Sequence, residues 1–161
     1  MTTRPFDDSY LLSYSAEHIA YEVDMFFGMT EMLSPLNRIG ASSLAEAKRL
    51  NFAMIEAFVI HLRNLIDFLY MDRPQSTDVV ATDFCTNWQT LRPTISPVLE
   101  KARGRANKEL AHLTTDRLAG TPPAKQWDFS ALAGEIRPLL HLFVKHASGS
   151  ALSPVVIQVI R

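Results

Sequence analysis

The segment SLAEAKRLNFAMIEAFVIHLRNLIDFLYM, residues 43–71, reads as one long helix whose pattern decides the architecture of the chain. Ser43 with Glu46 three residues later has capping-box spacing, in which a hydroxyl and a carboxylate each satisfy a backbone N–H that the first turn leaves without a partner. Beyond the cap, Phe52, Ile55, Val59, Leu62, Ile66 and Leu69 recur at alternating steps of three and four, which lines one helix face. Met54, Phe58, Leu65 and Phe68 form a second apolar seam beside it. A helix with two such seams must bury both, so it is expected at the centre of a bundle or in a surface shared with a second subunit.

Outward from this helix, the remaining segments are also helical and are separated by proline-containing loops. A helix from about Ser15 to Leu33 carries Ile19, Val23, Phe26, Phe27 and Met29 and stops before Pro35, which leaves residues 1–14 as an N-terminal arm. Asp72 to Thr82 is a loop, and Asp83 to Leu91 is a short amphipathic turn or helix around Trp88. Ser96-Pro97 pairs an N-cap with a proline at the first helical position, where the missing N–H costs nothing. The helix it opens runs to about Leu118, with a bend or an interruption expected at Gly104, and Gly120, Pro122 and Pro123 end it. Ser130 to His146 turns Leu132, Ile136, Leu139, Leu140 and Phe143 inward, and Pro138 is expected to kink it. In the tail, residues 149–161, the stretch Pro154 to Ile160 is β-branched and fits either a short strand paired with another chain or a packed extension. The fold class is therefore all-α: one domain over residues 1–161, an up-and-down bundle of four or five helices with a short C-terminal extension.

Composition limits the function classes. Over 161 residues, 47% hydrophobic and 20% charged residues describe an ordinary globular chain rather than a disordered one. Sixteen basic against 17 acidic side chains give a net charge of −1, so no global field gathers nucleic acid or anionic membrane. Cys85 is the one cysteine, which excludes an intramolecular disulfide and fits a reducing compartment. With no apolar run of ~20 residues and no basic leader ahead of an apolar block, the expected location is the cytoplasm, with no membrane partner.

Two polar constellations could carry chemistry. In RGRANKELAHLTTDR, residues 103–117, Arg105, Glu109, His112 and Asp116 share one stripe at about 100° per residue. The apolar face of Leu99, Ala102, Ala106, Leu110 and Leu113 lies roughly a quarter-turn away, so the stripe flanks the buried side. An arginine and a histidine two turns apart, each with a carboxylate four residues off, could bind a phosphate and move a proton. The same spacing also describes two ordinary i,i+4 helix pairs. In HLRNLIDFLY, residues 61–70, Arg63 and Asp67 fall on one stripe with Glu56 of the preceding turns, while His61 enters the apolar seam. That fits a satisfied Arg63–Asp67 pair with His61 hydrogen-bonded in the core, or a polar strip that meets the His112 stripe across the bundle. No metal site is expected, since His61, Asp67 and His112 have no ligand spacing; nor is a nucleophile elbow or a Gly-rich phosphate loop present. Trp88 and Trp127, with no interleaved basic residues, are expected to be packing anchors.

The run Arg105-Ala-Asn107-Lys108-Glu-Leu-Ala111-His112 resembles the arginine, four-to-six-residue, histidine signature of the HEPN superfamily, in its Arg-Asn-Lys-x-x-Ala-His variants. The helix carrying His61, Arg63, Asn64 and Asp67 is similar to the partner helix of HEPN-like proteins, so the resemblance covers roughly Ser43 to Arg117 and the closing helix. Ala106 stands where the family has its polar residue, and Asn107 follows one place later. The resemblance implies a helical bundle that dimerises so that two motifs face one cleft, and metal-independent RNA cleavage of a toxin or phage-defence kind, with no cofactor. Arg105 would hold the scissile phosphate, His112 would transfer the proton and Asn107 would orient the backbone; Lys108, Glu109 and Asp116 would support them. RNA and a neutralising antitoxin protein are the implied partners beside the second subunit. The alternative is a catalytically silent HEPN-like module serving protein association or ligand sensing.

Overall fold

The computed structural model describes residues 6–34, 43–109 and 126–160. They form α1 (Asp8–Tyr14), a π-helical turn (Ser15–Ile19), α2 (Ala20–Met32), α3 (Leu44–Tyr70), α4 (Ala81–Phe84), α5 (Trp88–Leu91), α6 (Pro97–Glu109), α7 (Phe129–His146) and α8 (Pro154–Val159). Among the described residues there is no β-strand, so the chain is all-α.

The caps read from the sequence stand where expected. The Ser43 hydroxyl accepts from the Glu46 N–H at 3.2 Å, and the Ser96 hydroxyl accepts from the Leu99 N–H at 3.2 Å with Pro97 as the first helical residue. α7 starts on a cap the sequence reading did not name: Asp128 accepts from the Ala131 N–H at 2.9 Å. Each such cap is worth about 1 kcal/mol.

Helix directions follow from cross-helix pairs. Glu22 meets His61 and Phe26 meets Phe58, so α2 runs antiparallel to α3. Asp67 meets Arg103, and Tyr70 shares a cavity with Leu99, so α3 and α6 are antiparallel as well. Phe58 meets Phe129 and Phe68 meets Phe143, which makes α7 parallel to α3. Both seams of α3 are covered within the chain: Val59, Leu62, Ile66 and Leu69 on one, and Phe58 and Leu65 on the other, are buried, which makes α3 the central helix. Phe52, at 52% exposure, falls outside the core, so the first seam begins at the half-buried Ile55. Trp88 is a packing anchor, fully buried, with its indole N–H donating to the Leu69 carbonyl at 2.7 Å.

Two expectations are corrected and one left open is resolved. The N-terminal arm over residues 1–14 holds a helix from Asp8 onward, capped by the Asp7 carboxylate on the Tyr10 N–H at 2.7 Å. Leu11, Ser15, Ile19 and Val23 are buried at successive steps of four. In a regular helix those steps drift by about 40° each, and the wider π turn absorbs that drift. Second, Gly104 neither ends nor interrupts α6, which runs on to Glu109. Third, of the two forms left open for the tail the structure shows the packed extension, as a helix: Ala151, Leu152, Ser153 and Val156 are buried, and the Ser15 hydroxyl accepts from the Ser153 N–H at 2.9 Å. Burial of Val156 and a serine cap with proline behind it override the β-branched composition. Pro138 lies inside α7, which continues through it.

Candidate functional site

α6 turns two arginines to opposite sides, because residues two apart are about 200° apart on a helix. Arg103 faces α3, where its Nη2 lies 2.5 Å from Asp67 Oδ1. Arg63 approaches the same carboxylate from within α3, with Nε 3.7 Å from Oδ2. One acid thus serves two guanidinium groups, and it is this pairing that ties the polar strip of α3 to α6.

Arg105 faces the start of α7. Its guanidinium carbon lies 4.0 Å from the centroid of the Trp127 ring, and Nη1 donates to the Gln126 carbonyl at 3.3 Å. Arg105 is half-buried, as expected for a stripe flanking the apolar face, and Leu99, Ala102 and Ala106 on that face are buried. A guanidinium on an indole keeps its charge and its outward N–H edge while losing rotational freedom. Asn107 and Lys108 are exposed on the same helix. His112 and Asp116, like Leu110 and Leu113, lie outside the described residues, as does the side chain of Glu109.

The other strip residues sort differently. His61 is buried and its Nδ1 lies 2.7 Å from Glu22 Oε2 of α2, with the Tyr21 ring edge-on at 5.4 Å between centroids. Asn64 Nδ2 donates to the same Glu22 oxygen at 3.2 Å. His61 and Asn64 therefore belong to an α2–α3 cluster, whereas Asp67 and Arg63 belong to the α3–α6 one. Between α1, the π turn, α3 and the loop before α4 is a cavity of about 380 Å³, lined in part by Tyr14, Glu22, Asn64, Asp67 and Asp78. Burial raises the Tyr14 hydroxyl above the usual tyrosine range, and negative charge at Tyr10, Glu22 and Asp78 raises it further. Among the described residues no three histidine, cysteine or acidic side chains are grouped to hold a metal ion.

Reading the sequence alone misses Glu22, Arg103, Gln126 and Trp127. Arg103 stood in the quoted run but carried no motif; Glu22 and Trp127 act across 39 and 22 positions, and only the helix pairing brings them in. Comparison of the chain with protein-family models, with curated proteins and with solved structures finds no match.

Proposed function

We propose that the chain is a HEPN-like, up-and-down helical bundle that acts as a homodimer and cleaves RNA without a metal ion. The observation that carries this reading is the setting of Arg105: stacked on Trp127, tethered to one backbone carbonyl, and half-open to solvent on the motif helix. An arginine held this way is preorganised to receive a phosphate and to offset charge developing on its oxygens.

In this mechanism the ribose 2′-oxygen attacks the adjacent phosphorus, the bond to the 5′-oxygen breaks, and a 2′,3′-cyclic phosphate and a free 5′-hydroxyl result. His112 takes the proton from the 2′-hydroxyl, and the partner subunit's copy of the histidine returns one to the leaving oxygen, which is why two motifs must face one cleft. Asn107 orients the backbone. DNA, lacking the 2′-hydroxyl, is spared. With near-neutral net charge, generic affinity for RNA is weak, and target choice falls to local contacts or to a protein partner. Leu44 at 86% and Phe52 at 52% exposure leave apolar surface on the first half of α3 that a second copy would cover.

The test is incubation of purified protein with mixed single-stranded RNA in EDTA, beside Arg105→Ala and His112→Ala. Cleavage lost in both variants supports the reading. Cleavage that needs a divalent ion, or that survives His112→Ala, overturns it. A second reading, a silent module for association, is favoured by the same apolar surface on α3 and would leave a stable dimer with no His112-dependent cleavage.

A further inference from the structure

Gln126 and Trp127, which fix Arg105, also form part of one wall of a second cavity, about 980 Å³, between the end of α2, the first half of α3 and the start of α7. Its volume lies at the upper end for small-molecule sites, ~300–1,000 Å³. Trp127, Phe129, Leu33 and Ile55 give it apolar surface, and Asn51 and Glu31 bring an amide and a carboxylate into the lining.

That combination has the chemistry of a nucleobase site. A base is a flat ring with apolar faces and a polar edge, so it is taken up where apolar walls flank a few hydrogen-bonding groups. The Asn51 amide offers a donor and an acceptor side by side, which matches the amino group and ring nitrogen of an adenine edge. Arg105 does not itself line the cavity, but the indole that does is the one on which its guanidinium rests, which makes the arginine a neighbour of the site. We infer that this cavity receives an adenine base next to the phosphate held by Arg105, and that Asn51 selects it. The role given to Arg105 rests on the ribonuclease reading; the base site itself does not.

Trp127 makes a direct probe, since the other tryptophan, Trp88, is fully buried in the core. Titration with adenosine 5′-monophosphate should quench Trp127 fluorescence, and uridine 5′-monophosphate should need at least about tenfold higher concentration, the discrimination expected of one bidentate base contact. Asn51→Ala, at an exposed position, should erase that difference while leaving the helical circular dichroism unchanged. Ile55→Phe, which adds bulk without a third indole, should narrow the cavity and weaken quenching by either nucleotide.

Equal response to the two nucleotides, or adenosine binding untouched by both variants, would overturn the inference. The two readings fail separately. Asn51-dependent adenosine binding without His112-dependent cleavage removes the nuclease and keeps the base site. Cleavage with no preference for adenine-flanked phosphates, and no nucleotide binding, removes the base site alone.

Discussion

The Arg105 guanidinium and the Trp127 indole, 4.0 Å apart, join the motif helix α6 to the start of α7. This contact decides which way Arg105 points. Without the indole face, the side chain would lose the surface that fixes the plane of its guanidinium and would sample more rotamers, although the Gln126 carbonyl at 3.3 Å would still hold Nη1.

Trp127→Ala should therefore lower RNA cleavage by roughly fivefold, in line with ~1 kcal/mol for a part-exposed cation–π contact. Trp127→Phe, which retains an aromatic face, should recover most of it. Because Trp127 both orients Arg105 and walls the second cavity, the loss should appear in kcat and in KM. A Trp127→Phe variant as impaired as Trp127→Ala would show that the indole does not act by orienting Arg105.

The parts of this molecule that were legible in the sequence are those set by neighbours a few residues apart. Ser43 and Glu46, Ser96 with Pro97, and the seam through Val59, Leu62, Ile66 and Leu69 act within a turn or two, so their spacing alone carries them. What was not legible depends on partners far along the chain. The helix at Asp8–Tyr14 was hidden because its buried positions step by four until the π turn restores phase, which a regular period does not show. The tail helix was hidden because its support is Ser15, more than a hundred positions earlier. At the candidate site, Arg105 was readable from its motif, but neither the indole beneath it nor the Arg103–Asp67 bridge could be placed before α6 was set against α3 and α7.

The two arginines on Asp67 should contribute unequally. Arg103 reaches across helices at 2.5 Å to a carboxylate only 19% exposed, whereas Arg63 sits 3.7 Å away with 44% of its side chain in solvent. Arg103→Ala should cost about 1 kcal/mol in urea unfolding, and Arg63→Ala a few tenths, the usual value of an exposed i,i+4 pair. Equal costs would show that α6 is held to α3 by apolar packing alone.

Ser15 is the hinge between the first helical rod and the tail. Its hydroxyl donates to the Leu12 carbonyl at 3.0 Å and accepts from the Ser153 N–H at 2.9 Å, and Ser15 and Ser153 are both buried. Ser15→Ala should strand the Ser153 N–H and destabilise the fold by about 1–3 kcal/mol. Hydrogen exchange should locate the effect: protection falls first at Ser153 and Val156, while α3 amides keep theirs. Uniform loss of protection would mean that the tail unfolds only with the whole bundle.

Alkaline pH should loosen the fold through two tyrosines. Burial raises the Tyr14 hydroxyl, helped by charge at Tyr10, Glu22 and Asp78; burial also raises Tyr70, against the lowering effect of the Arg92 guanidinium 4.9 Å from its ring centroid. In each case the folded chain holds its phenolic proton to higher pH than the unfolded chain, whose tyrosines ionise near pH ~10. Between those two values the unfolded state binds fewer protons, so stability falls as pH rises. Below that window these groups exert no pH dependence. Tyr14→Phe and Tyr70→Phe should each flatten the decline in urea midpoint above pH ~10 and remove one late component from the ultraviolet titration of phenolate. A wild-type midpoint that stays level through this range would mean that neither hydroxyl is as shielded from water, or as close to negative charge, as the packing around α1 and α3 implies.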